Sequence, residues 1–388
     1  MLKLQAQSSR ALGNALNIAS RCLAKKNTIS ILDNVLLSQK NGNFVFTTAT
    51  TDSQLTIAAP LSVISGTFTS PMALPVNGMV SFLSTLPECV VNLTINDDKS
   101  LILDYCFGSG DKVKTGKVSL TYLDGGEFPL IPGLSDGVTR ITLPSDMFLG
   151  AIEQAKVFSA RDELRMVLNT LCIDIAEDAS ECYFVATNGK LIIKQTYRPD
   201  HPLMQAGSPR PIVIYNGYFR AISAFASCES IGIETDGQSI RLSSGDIEFV
   251  CKAVEGKYPN YNAVIPKGNP YYITFDKKEL CDAIKRVSIF GNTEMGMVLL
   301  QFEGMFINVS ARDMEFSTES SEQVFVGDSK CDTGFSIGVN ATQITNSLMA
   351  IDADTIRMQL SDPARPCVCT ADEASPSVLT LCMPMRLQ

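Results

Sequence analysis

Asp124-Gly-Gly-Glu-Phe-Pro129 returns about 130 residues later as Val254-Glu-Gly-Lys-Tyr-Pro259, each followed by a second proline, Pro132 and Pro266. Working outward, what precedes each tail also repeats. A short alternating strand runs into an amphipathic helix at Leu2–Ala24, Thr139–Ala160 and Tyr271–Phe290. Strands follow, then a shorter helix at Asn77–Leu86, Asn216–Ala226 and Asn340–Ala350, then three closing strands. Units of this size are too large for a solenoid and read as globular domains. The expected division is 1–132, 133–266 and 267–388. Each unit reads β-α-β-β-β-β-α-β-β-β. In the first, Leu12, Leu16, Ala19 and Leu23 make a helical stripe, while Asn43–Thr48 and Lys117–Tyr122 alternate as half-buried strands. The expected fold class is α+β, two helices packed on antiparallel sheets in each of three repeated domains. Three such units in a row leave open sheet edges, which favour pairing.

Charge suggests how those edges close. The last strand region of the first domain carries Lys112, Lys114 and Lys117, whereas a strand region of the third carries Glu315, Glu319 and Glu322. Head-to-tail pairing between two copies follows as the expectation, closing into a homodimeric ring. The chain has net charge −9, which alone argues against nucleic acid. The six expected helices (8–26, 77–86, 144–161, 216–228, 276–290 and 340–351) nevertheless sum to +6, leaving −15 elsewhere. Arg10, Arg21, Lys25 and Lys26 contribute most of the excess and are expected to face no acidic residue at all. The plain reading is a solvated face; the sharper one is that helices face a polyanion while strands and loops repel it.

An apolar fraction of 45% suffices for a core in each unit, and no run is long enough to cross a bilayer. The start, Met1-Leu-Lys-Leu-Gln-Ala-Gln7, alternates like a strand and does not resemble a signal peptide. The twelve cysteines are scattered, often within apolar strands (Cys106, Cys172, Cys251, Cys382), and Cys367-x-Cys369 is the one close pair. Reduced, mostly buried thiols of a cytoplasmic protein are expected. The single histidine, His201, sits in a loop before proline, so histidine triads and histidine-rich metal sites have little to work with. Gly108-Ser-Gly110 lacks the third glycine of a dinucleotide site, and Asp97/Asp98 lie in a turn-like stretch. The chain is expected not to be an enzyme and to need no cofactor or metal.

Several segments, in order along the whole chain, resemble the bacterial DNA polymerase sliding clamps, the beta subunits of DNA polymerase III. They are Ile29-Ser-Ile-Leu-Asp-Asn34, Phe158-Ser-x-Arg-Asp-Glu-Leu-Arg165 with Leu168-Asn169, Ala186-Thr-Asn-Gly189, Gly256-Lys-Tyr-Pro-Asn-Tyr261, and the C-terminal Met383-Pro-Met-Arg-Leu387. The resemblance implies a homodimeric ring of six similar domains, with helices lining a hole through which double-stranded DNA threads without sequence specificity. It implies a processivity factor that tethers the replicative polymerase. Weak, salt-sensitive phosphate contacts are enough, since topology prevents escape.

By the same resemblance, DNA polymerase subunits and the clamp loader dock short linear peptides in a pocket between the second and third domains. Matching positions from the second domain are Arg165, Leu168, Thr187, Gly189, Lys190, Leu191 and Ile192, with Pro259 and Val264 from its tail. The third domain matches at Thr342, Leu381, Met383, Pro384, Met385 and Arg386. Methionine and aliphatic residues suit an adaptable groove, and glycine permits close approach. The competing reading makes Leu168, Ile192 and Leu381 ordinary core. Lys190 and Leu191 stand where many clamps have His-Arg, and Ala263 where some have arginine, which points to a more apolar pocket. The DNA-facing candidates are Lys26, which aligns with a basic residue of the family, and Arg10, Arg21, Lys25, Arg161 and Arg220. The ring seam gains Val118, Leu120, Ile289 and Phe290 beside Lys114, Lys117 and Glu319. The rival reading is a repeat scaffold that binds peptides but no DNA.

Overall fold

Each repeat starts with a strand that leads into a helix, and in the first and third a side chain caps that helix. Ser8 Oγ accepts from Ala11 N at 3.0 Å, and Asp276 Oδ1 accepts from Glu279 N at 2.8 Å. The computed structural model describes residues 1–109, 112–135, 138–200, 204–206 and 211–386. His201, Gly110 and Leu387 therefore lie outside the described residues. The α-helices among those described are α1 (Ser9–Ala19), α2 (Val76–Thr85), α3 (Ser145–Phe158), α4 (Phe219–Ile222), α5 (Tyr261–Val264), α6 (Lys277–Ser288) and α7 (Ala341–Met349). None is long and apolar enough to cross a membrane.

The chain forms two compact units, Met1–Leu149 with Met204–Ser208 and Gly217–Ala253, and Gly150–Leu203 with Pro209–Asn216 and Val254–Gln388. The first unit has a five-stranded antiparallel sheet in the order Ser62–Ser65, Leu2–Ala6, Val90–Ile95, Ser100–Phe107, Lys114–Thr121. Its ten-stranded sheet is continuous because Ser53–Ala58 pairs with Ile247–Lys252, joining the first repeat's strands to the second's. The second unit repeats the device: in its nine-stranded sheet Leu191–Tyr197 pairs with Val378–Cys382. Its remaining four-stranded sheet runs Thr318–Phe325, Phe306–Asp313, Met297–Glu303, Ser336–Asn340.

Packing follows the alternation. Leu12 and Leu16 of α1 are fully buried, each contributing about 1.5–3 kcal/mol of apolar transfer. Leu280, Ile284 and Val287 do the same for α6. The twelve cysteines form no disulfide, and most are buried, but Cys106 is exposed although it lies in a strand.

Three expectations need correction. Five strands, not four, separate the two helices of each repeat. The extra one (Ser62–Ser65, Met204–Ala206, Ser329–Lys330) is two to four residues long, too short to show alternation, and pairs with the repeat's first strand. The helix expected over 8–26 stops at Ala19, where the Thr48 hydroxyl donates to the Ala19 carbonyl and Ser20–Cys22 tightens into a 3₁₀ turn. Lys25 and Lys26 thus lie in an exposed bend beyond the helix. The helix expected over 216–228 is a single α-turn, α4, between two 3₁₀ turns. There the Asn216 side chain donates to Ser159 Oγ and the Ala160 carbonyl instead of continuing a helix.

Candidate peptide-binding groove

The groove begins with a hairpin. Cys182–Thr187 turns through Asn188-Gly189-Lys190 into Leu191–Tyr197. Asn188 Oδ1 accepts from the N–H of Lys190 (2.9 Å) and of Leu191 (2.8 Å), and Thr187 Oγ1 donates to the Leu191 carbonyl at 2.6 Å while accepting from Gly189 N. The turn needs φ of +86° at Gly189, where a side chain would be strained. Ala186-Thr-Asn-Gly189 is therefore a turn-building motif, with Gly189 and Lys190 left exposed at its tip.

The C-terminal segment is laid beside this turn by the sheet. Leu191 pairs with Cys382 and Ile192 with Leu381, and Met383 N then donates to the Lys190 carbonyl at 2.9 Å. Met385 N donates to the Gly338 carbonyl, so Met383, Pro384 and Met385 run half-buried along the surface and Arg386 is exposed. Helix α7, which carries exposed Thr342 in its first turn, packs against both paired strands.

On the other side, Asp162 and Asn169 clamp the loop that carries Arg165. Asn169 Nδ2 donates to the Asp162 carbonyl, and Arg165 Nε donates to the Asp162 carboxylate, both at 2.8 Å. The guanidinium holds the Asp162 carboxyl below its ordinary range. A Cβ built on Gly189 would stand 3.9 Å from Arg165 Nη1, so the loop and the hairpin tip meet.

The floor is the cluster Cys172, Val185, Ile192, Tyr258, Tyr261, Val368 and Leu381, with Val167, Ile265 and Met383 packed on it. Tyr258 and Tyr261 come from the Gly256-Lys-Tyr-Pro-Asn-Tyr261 motif. Tyr258 Oη donates to the Val185 carbonyl (3.2 Å) and Tyr261 Oη to Asp174 (2.6 Å). Burial pushes both phenols up, and the Asp174 carboxylate raises Tyr261 further. Lys194 sits 3.9 Å over the Tyr183 ring, and burial lowers its ammonium.

The matched positions divide in two. Leu168 (7% exposed), Leu191, Ile192 and Leu381 are core, Ile192 and Leu381 within the floor cluster, with Thr187 buried as a turn hydroxyl. Arg165, Gly189, Lys190, Pro259, Val264, Thr342, Met383, Pro384, Met385 and Arg386 carry the accessible surface. Sequence reasoning passed over the two tyrosines and Asn188, although both motifs were in view. The tyrosines' role needs the fold, because each acts on a strand distant in sequence.

The other candidates are placed as follows. Arg10 lies 3.6 Å from Glu88, so it does face an acidic residue, one on a neighbouring loop. Arg21 donates to the Ser223 carbonyl and hydroxyl, and Arg220 to the Ser20 carbonyl at 3.5 Å, so these two cap each other's helical turns. Lys25, Lys26 and Arg161 are exposed. Lys114 and Lys117 are exposed, and Val118 and Leu120 half-buried, on the edge strand Lys114–Thr121. Glu319 is exposed on the edge strand Thr318–Phe325, but Glu322 is already engaged by Arg286. Ile289 and Phe290 are 70% and 53% exposed just past α6.

The family model for the DNA polymerase III beta subunit, C-terminal domain, matches residues 262–386. The beta sliding clamp of Caulobacter vibrioides (strain NA1000) is 25% identical over 388 residues, covering 97% of each chain. The beta sliding clamp of Escherichia coli (strain K12) is 23% identical over 373 residues, 94% of each. Among solved structures, the Pseudomonas aeruginosa sliding clamp bound to griselimycin superposes with a TM-score of 0.86 at 19% identity, and the Thermotoga maritima DNA polymerase III beta subunit with 0.85 at 20%, each covering all of both chains. Residues 262–386 thus match the C-terminal domain family of the DNA polymerase III beta subunit, and over nearly its full length the chain is similar to bacterial beta sliding clamps.

Proposed function

We propose that the chain works as a DNA sliding clamp, a non-catalytic processivity factor of the cytoplasm. Two copies close head to tail around duplex DNA, and polymerase subunits and the clamp loader are held through the groove at Arg165, Gly189 and Met383–Arg386. The peptide-scaffold alternative is not favoured.

The observation that carries the ring is a strand-pairing rule used twice within the chain. Leu55 lies opposite Thr48 in its hairpin and pairs with Phe249 of the next repeat; Ile193 lies opposite Ala186 and pairs with Thr380. The third equivalent strand, with Ser320 opposite Ala311, is an open edge. So is the equivalent of the receiving strands: Val118 lies opposite Leu103 as Phe249 does opposite Leu242 and Thr380 opposite Cys369. The same rule pairs Ser320 with Val118 of a second copy. Glu319 then becomes a diagonal neighbour of Lys117. Thr318 and Ser320 donate to the Phe290 and Val287 carbonyls, which brings Val118 and Leu120 onto the side where Ile289 and Phe290 are exposed. Surface ion pairs contribute only ~0–1 kcal/mol each, so the apolar residues carry the affinity and the charges the register.

Negative-stain imaging tests the topology: two-fold rings with a DNA-sized hole are expected, and compact particles without a hole would leave the scaffold reading standing. Sedimentation of Lys114→Glu/Lys117→Glu is expected to show a raised dimer dissociation constant. Unchanged self-association would reject the strand pairing.

A further inference from the structure

The four-stranded sheet carries a cavity of about 310 Å³ on the face away from α6, lined by Asn292, Met295, Met297, Leu299, Ser310 and Arg312, with Glu319 at its edge. Its place in the repeat is fixed by register. Leu299 pairs with Gly338 as Leu36 pairs with Ala73 and Cys172 with Val213. Four residues before these stand Met295, Leu32 and Leu168. In the first two repeats this face is covered by an aromatic ring from the chain's own tail. Phe128 of Gly-Gly-Glu-Phe-Pro129 packs on Leu32, Leu36, Ala49 and Ala73, and Tyr258 of Glu-Gly-Lys-Tyr-Pro259 packs on Cys172 and Val185. Leu32 and Leu168 are 1% and 7% exposed, whereas Met295 is 43% exposed. The third repeat also has glycine, Gly338, where the others carry Ala73 and Val213.

We propose that this cavity is a second peptide-binding site, taking an aromatic side chain from a Glu-aromatic-Pro segment of a partner protein. The chain itself shows the chemistry twice: a ring laid on aliphatic side chains, fixed by a proline and preceded by a charged residue. Met295 and Met297 supply an adaptable apolar wall around such a ring. Arg312, exposed at the cavity and opposite Glu319 in register, supplies a cation for the glutamate. None of the residues lining the cavity belongs to the groove at Met383, and Glu319 at its edge also lies at the proposed seam.

The probe is the peptide Gly-Gly-Glu-Phe-Pro-Leu, the chain's own residues 125–130, titrated into full-length protein labelled with ¹³C at its methionine methyls. Shifts confined to Met295 and Met297 are expected, assigned through Met295→Leu and Met297→Leu. Affinity should be weak, a Kd on the order of 100 µM. Ser310→Trp, which fills the cavity from a half-buried strand position, should weaken binding at least about tenfold, ~1.4 kcal/mol, while Met383→Ala leaves it unchanged. An unshifted spectrum at millimolar peptide overturns the proposal. So does binding that survives Ser310→Trp and disappears in Met383→Ala, which would put the peptide in the other groove.

Discussion

Met383 packs on the cluster around Tyr258 and Tyr261 and stays half-buried. Its backbone is fixed by the bond to the Lys190 carbonyl, so truncation removes side-chain packing without moving the strand. Met383→Ala is expected to weaken a peptide of the Gln-Leu-x-Leu-Phe type by about tenfold, ~1.4 kcal/mol, read by fluorescence anisotropy; equal binding would move the site elsewhere. Ile192 and Leu381, at 5% and 1% exposure, should behave differently. Their truncation costs stability as core cavities do. At this scale the sequence named both classes of residue but could not separate them, since an apolar residue in an alternating strand reads the same whether a ligand or a tyrosine covers it.

Elements are joined at the junction strands, and the same junction is built differently in the two units. Where the second unit places Lys190 and Met383, the first places Asp52 and Lys252: Lys252 N donates to the Asp52 carbonyl at 2.9 Å, and its ammonium lies 2.6 Å from the Asp52 carboxylate. The counterpart of Ile192 is polar Gln54, whose side chain accepts from Ile131 N at 3.0 Å. The first unit's face at this junction is thereby polar and covered. Lys252 holds the Asp52 carboxyl below its ordinary value. A depressed carboxylate stabilises the fold above its unfolded pKa and loses that contribution as pH falls through the folded one. Asp52→Asn should therefore cost about 0.5 kcal/mol at neutral pH, with the difference from the parent vanishing in acid. A penalty in chemical denaturation that persists at acid pH would show that packing, not charge, is responsible.

For the whole molecule, the acidic balance of −9 and a DNA-encircling role are compatible only if retention is topological. Of the basic candidates, Arg21 and Arg220 have their guanidiniums committed to backbone carbonyls and Arg10 lies near Glu88, which leaves exposed Lys25, Lys26 and Arg161 as the strongest of the set. Lys25→Glu/Lys26→Glu should weaken retention on circular DNA and flatten the dependence of log affinity on log salt by about 0.9 for each phosphate no longer neutralised. An unaltered slope would remove both lysines from the DNA-facing surface. The Arg21→Ala change, by contrast, is expected to act first on stability.

The repeat, the α+β class and the turn motifs were legible in the sequence, because turn chemistry and alternation are local: Ala186-Thr-Asn-Gly189 makes its turn with its own side chains, and the tails ending in Pro129 and Pro259 announce themselves by spacing. Only the tertiary structure decided where α1 ends, since the Thr48 hydroxyl that donates to the Ala19 carbonyl lies on a strand almost thirty residues away. It alone set Tyr258 and Tyr261 under the groove and left Met295 uncovered. Which apolar residue is core and which is surface depends on what is laid over it, and that is a property of register between distant strands rather than of any stretch of sequence.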